Sequence, residues 1–235
     1  MSKMSKFEVH GWRWHNLSLY HGYKRLSILC NDDNNNSDDS NNNSDDTYTT
    51  TSLLHTADYL FNFNHEALIT IENTVFKPWL DKNIKQNKEH KQLIADCWSI
   101  KKDIQDNLNT CRRLASRLSA DPSSRPALGA MCESTASLLL SAMSLQDASV
   151  VPLINSSATQ ASQRRLNTRI LRTLPLRHAR MHLAAMWEVV RGTREEEIWK
   201  MKIPAVARRM VRDWKGYEER VGGIAGLEVG DELRF

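Results

Sequence analysis

Apolar residues recur at intervals of three and four along most of the chain, which is the spacing of amphipathic helices. No region shows the succession of short alternating runs that is typical of strands. Glycine (9 residues) and proline (6 residues) are few, which also favours long helices. The pattern predicts an all-α protein with helices over 7–29, 52–80, 87–118, 126–154 and 164–191, the last interrupted at Pro175, and with one more helix that Thr193 caps.

One segment, residues 31–51, breaks this periodicity. It consists mostly of Asn, Asp, Ser and Thr, and Tyr48 is its only apolar residue. A chain of this composition buries too little apolar surface to offset the entropy of ordering, so we expect a disordered insertion. A calcium-binding loop is the alternative, but the tract has no glycine for the sharp turn and no glutamate to close a twelve-residue loop. A flexible insertion is therefore the preferred interpretation.

Two helical runs about 75 residues apart echo each other. In the first, Glu72 stands six positions before Pro78; in the second, Gln146 stands six positions before Pro152. Each run therefore places one carboxylate or amide near the end of a helix, where it points into a bundle. Helix bundles build metal sites in this way, from histidine and carboxylate side chains on facing helices.

Four segments together resemble the hemerythrin-like (HHE cation-binding) family, and most closely its fungal-type members with an extra C-terminal helical segment. These segments are Trp14-His15-Asn16, the run from Glu72 to Leu80, the run from Glu89 to Leu93, and Val150-Val151-Pro152-Leu153. The resemblance covers about residues 8–155 and, more loosely, extends to about 220. It implies an up-down four-helix bundle with additional C-terminal helices, which holds a non-haem di-iron centre.

The resemblance also implies which residues bind the metal. His15 matches the ligand of the first helix, Glu72 the carboxylate of the second and His90 the ligand of the third. Leu68, Ala142 and Gln146 stand where the family has further ligands, and His65 and Asp147 are the nearest substitutes. The expected ligand set is therefore His15, His65, Glu72, His90 and Asp147, with His15, Glu72 and His90 converging in the bundle interior. Such a set suits at most one iron or other divalent ion, or none.

The elements divide the chain into a first bundle helix (1–30), the insertion (31–51), the remaining bundle helices (52–155) and a basic C-terminal helical extension packed on the bundle (156–235). From Gln163 to Arg220 there are 15 Lys and Arg against 7 Asp and Glu, whereas the insertion has six Asp. A basic face of this kind suits a protein or another anionic partner. His178 and His182, four apart among arginines, are interpreted as part of a solvated or partner-facing stripe.

Several classes of protein have no support in the sequence. No stretch reaches the roughly 18 uncharged apolar residues of a membrane span, the N-terminus lacks the apolar core of a secretory signal, and no nucleic-acid-binding signature is present. The four cysteines are Cys30, Cys97, Cys111 and Cys132, and none of them forms a CxxC motif. This absence indicates reduced, partly buried thiols and a cytoplasmic location.

Two functions stay open from the sequence. The first is the binding of non-haem iron or another divalent metal, with an oxygen, redox or metal-sensing role that only the resemblance implies. The second is a metal-free bundle that serves as an interaction scaffold. An oxidase-type enzyme is a third and less favoured hypothesis, because the ligand set is incomplete and no nucleophile–base triad or phosphate loop is found. Enzymatic activity is left open, and a non-enzymatic role is favoured.

Overall fold

The computed structural model describes residues 7–31, 43–84, 87–173 and 176–212. Within these residues the protein is all-α, as the periodicity predicts, and no strand occurs. The α-helices are α1 (His10–Asn31), α2 (Asn43–Asp58), α3 (Glu66–Ile71), α4 (Lys77–Asn83), α5 (Lys88–Ala115), α6 (Arg125–Leu145), α7 (Val151–Ser157), α8 (Gln160–Thr173), α9 (Leu176–Val190), α10 (Glu195–Lys202) and α11 (Ala205–Arg212).

Three widened turns join some of these helices into longer ones. They are the π-helical segments π1 (Tyr59–His65), π2 (Glu72–Phe76) and π3 (Gln146–Val150). Through π1 and π2 the chain from α2 to α4 is continuously helical, and π3 joins α6 to α7 in the same way. The described residues therefore contain four long helical stretches. These are α1, α2–α4, α5 and α6–α7.

The helices share one hydrophobic core, in which α6 is central. It packs extensively against both α1 and α5, and it contributes buried residues such as Leu128, Ala136 and Leu139. The C-terminal helices α8 and α9 also pack on α1. Since α1 contacts both α6 and these helices, most of its residues are buried, including Trp12, Trp14 and their neighbours.

The echo seen in the sequence corresponds to a repeated backbone feature. The residues Glu72 and Gln146 are the first residues of π2 and π3, and each carbonyl accepts the N–H of the residue five positions later. The proline that follows is the second residue of the next helix in both cases. A proline has no N–H to donate and crowds the carbonyl one turn before it, and a widened turn relieves both problems.

The second helix begins earlier than the sequence predicts. The predicted disordered insertion extends to residue 51, but α2 already starts at Asn43, and α1 continues to Asn31. Residues further along α2, such as Leu53, are buried and anchor this helix in the core. This anchoring extends a helix into a segment of low apolar content. Residues 32–42 lie outside the described residues.

One helical stretch, Pro122–Ser157, is long and apolar enough to cross a membrane by length and composition alone. Within it, α6 packs against both α1 and α5, and 39% of the apolar window is buried inside the protein. The four cysteines are free and buried, which confirms the prediction of reduced thiols. Burial raises the pKa of Cys30 to about 12, so this thiol stays protonated at neutral pH.

Candidate functional site

A buried ion pair joins α5 to the start of π2 in the interior of the protein. The Nζ atom of Lys101, on α5, is 2.9 Å from Oε1 of Glu72, at the start of π2. The two side chains are only 11% and 7% exposed, so both charges are largely removed from water. Placing a lysine at this depth is costly unless its ammonium is both paired and hydrogen-bonded.

Two residues of α1 complete the environment of this pair. Trp12 donates its indole N–H to the same carboxylate oxygen of Glu72 at 2.8 Å, and Lys101 donates to Oδ1 of Asn16 at 2.6 Å. Asn16 is held in turn by its own amide, which donates to the carbonyl of Trp12 at 2.9 Å. The ring of Trp12 also stacks on Phe76, with centroids 4.0 Å apart. We refer to Lys101, Glu72, Asn16 and Trp12 as the core network.

A cleft opens beside the core network, between the π1–π2 stretch and α5. Its volume is about 230 Å³. Leu68 and Glu72, one turn apart, both line it, so the leucine that stands at a family ligand position faces the same space as the carboxylate. The remaining lining residues include polar and apolar groups: His65, Ile69, Asn73, Trp98, Lys101, Lys102, Ile104, Gln105 and Leu139.

His65 lies in the wall of this cleft, but its ring is already engaged. Its Nδ1 is 2.8 Å from the hydroxyl of Tyr23. Burial lowers the pKa of His65 to about 3, and the positive charges of Lys101 and Arg112 add to this effect. At neutral pH His65 is therefore an uncharged hydrogen-bonding partner of Tyr23.

His15 is buried, but it faces away from Glu72. Its Nδ1 is 2.7 Å from the carbonyl of Gly11, which fixes the proton on Nδ1, and its ring lies 5.8 Å from the ring of His182 on α9. Burial lowers the pKa of His15 to about 4, so the ring is neutral at pH 7. His182 is itself 1% exposed, and its assignment to a solvated stripe is therefore wrong. The side chain of His178 lies outside the described residues.

His90 and Asp147 lie elsewhere. The backbone N–H of His90 bonds to Asn87, the residue that caps α5, and its side chain is only half-buried. Asp147 forms an ion pair with Arg13 at 3.0 Å. Burial raises the pKa of Asp147, which the charge of Arg13 partly offsets.

The structure does not bring His15, Glu72 and His90 together. Among the described residues, no group of three His, Cys, Asp or Glu side chains is placed to share a metal ion. His15 fails because its helix face is covered by α9. His90 fails because it precedes Lys101 by 11 residues of one helix, a rise of about 16 Å, so it lies far from the level of Glu72.

The implied iron centre does not fit the residues that stand in its place. Among the residues that line the cleft, Glu72 is the one carboxylate, and it is already paired with the Lys101 ammonium. A metal cation at this point would lie within a few ångströms of the positive charge of Lys101, which is strongly repulsive in a partly desolvated interior.

Lys101 is the functional residue that the sequence reasoning missed, although a signal was present. The buried face of α5 follows alternating steps of four and three residues, and Lys101 occupies one of these core positions: Ile94, Cys97, Lys101, Ile104, Leu108, Cys111 and Ala115. A charge at a core position of an amphipathic helix indicates a buried partner. Trp12 and Asn16 carried no comparable signal, because nothing local distinguishes them from other residues of α1.

Comparison of the chain with protein-family models, with curated proteins and with solved structures finds no match.

We expect the Lys101–Glu72 pair to behave as a single energetic unit. Lys101→Met and Glu72→Gln should each destabilise the protein by about 3–5 kcal/mol, because each leaves the other charge buried without its partner. The double variant should lose less than the sum, since no unpaired charge remains. Urea unfolding of the four proteins measures the coupling.

A matched control for this cycle is the pair Lys24–Glu133, which joins α1 to α6 at 2.7 Å with side chains 24% and 46% exposed. Water screens this pair, so the same cycle should give about 0–1 kcal/mol. Equal coupling energies for the two pairs would contradict the assignment of Lys101 as a desolvated core charge.

Acidification should destabilise the protein between pH 7 and pH 5. His15 and His65 have pKa values of about 4 and 3 when folded, below the ordinary 6.5, so the unfolded chain binds protons first as the pH falls. Their stabilising contribution is present above pH 6.5 and is lost below it, by on the order of 2 kcal/mol for each histidine at pH 5. Urea unfolding against pH measures this slope.

Two variants identify which groups cause the dependence of the unfolding free energy on pH. His65→Gln keeps an acceptor for Tyr23 and should make the slope shallower, whereas His55→Gln, at an exposed position, should leave it unchanged. A slope that both variants leave intact would show that other groups cause the acid sensitivity.

Proposed function

We propose that this protein is a metal-independent helix-bundle module of hemerythrin-like type, which serves in binding and interaction. In this proposal α1, α2–α4, α5 and α6–α7 form the up-down four-helix bundle, and α8 to α11 are the additional C-terminal helices. The observation that carries the proposal is the core network, in which the Lys101 ammonium sits against Glu72 where the resemblance places a metal ion.

The arrangement of the family-equivalent positions supports this proposal. Glu72 and Gln146, which match the two helix-end carboxylate positions, are both buried and both open a π-helical turn. Widened turns of this kind frequently occur at functional sites, because they re-aim the side chains around them. In this proposal the bundle has the helix order that the resemblance implies, while an ammonium ion provides the positive charge.

The interaction role is supported by the exposed face of α8. Arg165, Arg169 and Arg172 are all exposed and follow helical spacing, so they form one stripe of guanidinium groups, here called the arginine stripe. Some other basic groups of the described C-terminal part pair within the protein; Arg164 and Lys202, for example, both pair with Glu8. The arginine stripe places three positive charges on one exposed surface, which suits an acidic protein segment.

Metal analysis of the wild-type protein tests the metal-independent interior. We expect well below one ion per chain after expression with added iron and purification without chelators, and an unchanged Tm when a chelator is added. One or two tightly bound ions per chain, or a Tm that falls with the chelator, would instead support non-haem iron or another divalent metal with an oxygen, redox or sensing role.

A series of variants with added metal ligands tests whether Lys101 is what prevents iron binding. Leu68→His, Ala142→His and Gln146→Glu together restore the family ligands, but we expect iron binding only when Lys101→Ala is added, because the ammonium repels the cation. Iron uptake with Lys101 present would contradict the proposed role of the lysine. No uptake in either folded protein would argue against the hemerythrin-like arrangement.

Charge reversal tests the arginine stripe. The variant with Arg165→Glu, Arg169→Glu and Arg172→Glu should bind a polyglutamate peptide at least about tenfold more weakly at low salt, because it loses the local positive field. The control carries Lys77→Glu, Lys82→Glu and Lys88→Glu, which are exposed and change the net charge equally. Equal losses in both proteins would show that only net charge matters, and the stripe would then not be an interaction surface.

A further inference from the structure

We propose that the cleft beside the core network binds a small, flat organic carboxylate, with the carboxylate at Lys101 and the apolar body against Trp98. The inference rests on the proposed metal-independent interior, because it requires the Lys101 ammonium to be the charge that meets the ligand. It adds a ligand and a site to that proposal, which by itself names neither.

The polar end of the site is an ammonium with a donor to spare. Lys101 has three N–H groups. One is directed to Glu72 and one to Asn16, and among the described residues the third has no protein acceptor. Since Lys101 lines the cleft, a carboxylate that enters it can accept this third hydrogen bond. A charge-assisted bond in a partly desolvated site is stronger than one at the surface.

The charge balance of the cleft selects a monoanion. Lys101 and Lys102 contribute two positive charges to its wall, Glu72 contributes one negative charge, and His65 is neutral at pH 7. The net charge of the lining is therefore one positive, which a single carboxylate compensates. A second negative charge, as on the phosphate dianion, would exceed the net charge of the lining and would be repelled by the Glu72 carboxylate, and a metal cation would be repelled by two ammonium groups.

The rest of the wall suits a flat apolar body. Trp98 is half-buried and lies nearly parallel to Phe76, with ring planes 9° apart, so its position is fixed by stacking from within the core. Leu68, Ile69, Ile104 and Leu139 supply the remaining apolar surface. An aromatic ring gains both area burial and stacking geometry from such a wall.

The size of the cleft limits the ligand to one ring. Its volume of about 230 Å³ is below that of sites for drug-sized molecules, which start near about 300 Å³. Asn73 and Gln105 add amide groups to the lining, and these can hydrogen-bond a ring substituent. The class of ligand is therefore a single-ring carboxylic acid, bound as its anion.

The test uses 4-fluorobenzoate, whose fluorine signal in NMR broadens and shifts on binding. We expect saturable binding by the full chain with a Kd near about 1 mM or tighter, as befits a ligand of this size. 4-Fluorobenzyl alcohol, which lacks the charge, should bind at least about tenfold more weakly. Inorganic phosphate should not displace 4-fluorobenzoate at equal concentration.

Three variants locate the site without disturbing the core network. Ile69→Trp fills the cleft from a half-buried position and should abolish binding, and Lys102→Gln removes the second, exposed ammonium and should weaken it by about threefold to tenfold. Lys91→Gln, exposed on the same helix but not lining the cleft, should bind as the wild type does. Folding of each variant is checked by its thermal unfolding.

Several results would overturn the inference. They are the absence of binding by the folded wild type, binding that Ile69→Trp leaves intact, and equally tight binding of the alcohol or of phosphate. The metal analysis is read separately, so failure of the ligand site and failure of the metal-independent interior are distinguishable. A metal-free protein that ignores 4-fluorobenzoate refutes only the ligand, whereas a metal-loaded protein refutes the metal-independent interior and with it the ligand site that rests on it.

Discussion

The ion pair between Lys101 and Glu72 is the interaction on which the interior of this protein depends. A desolvated ammonium is costly unless its ion pair and hydrogen bonds are well formed. The contacts of Lys101 with Glu72 and Asn16 therefore fix the distances among α5, π2 and α1. Trp12 extends the same constraint, because its indole both donates to the carboxylate and stacks on Phe76. Apolar packing alone would leave several relative positions of these helices nearly equal in energy. The polar contacts remove that freedom.

The π-helical turns explain how the chain brings its polar residues to the interior. In a regular helix, a proline does not determine the direction of the side chain six positions before it. Here the widened turn that accommodates Pro78 begins at Glu72, and the one that accommodates Pro152 begins at Gln146. The sequence echo therefore corresponds to a widened turn that occurs at both places, a feature that the sequence analysis did not predict. Its interpretation as a pair of metal-ligand positions depended on the neighbouring side chains, which are Leu68 and Ala142 rather than histidines.

The sequence predicted those features that depend on residues close together in the chain, and it failed for those that depend on contacts between distant segments. Helical periodicity and the absence of CxxC spacing are local, and they correctly predicted the all-α fold of the described residues and the buried free thiols. The surroundings of His15 are not local, since they depend on α9, more than 160 residues away along the chain. His90 was misplaced because order along the chain was taken as a guide to height in the bundle. Lys101 was accessible to local reasoning, as the charged member of an otherwise apolar face.

A core ammonium and a core metal ion meet the same electrostatic need, but they differ in how they couple to ligands. Either one compensates the buried carboxylate of Glu72. A metal ion offers open coordination positions, whereas Lys101 offers only the N–H that its protein partners leave unused. A ligand that takes this N–H contacts a group on which folding also depends, so it binds the folded chain and not the unfolded one. Occupancy of the cleft would therefore raise stability by mass action, and the same residue would link ligand recognition to the integrity of the core.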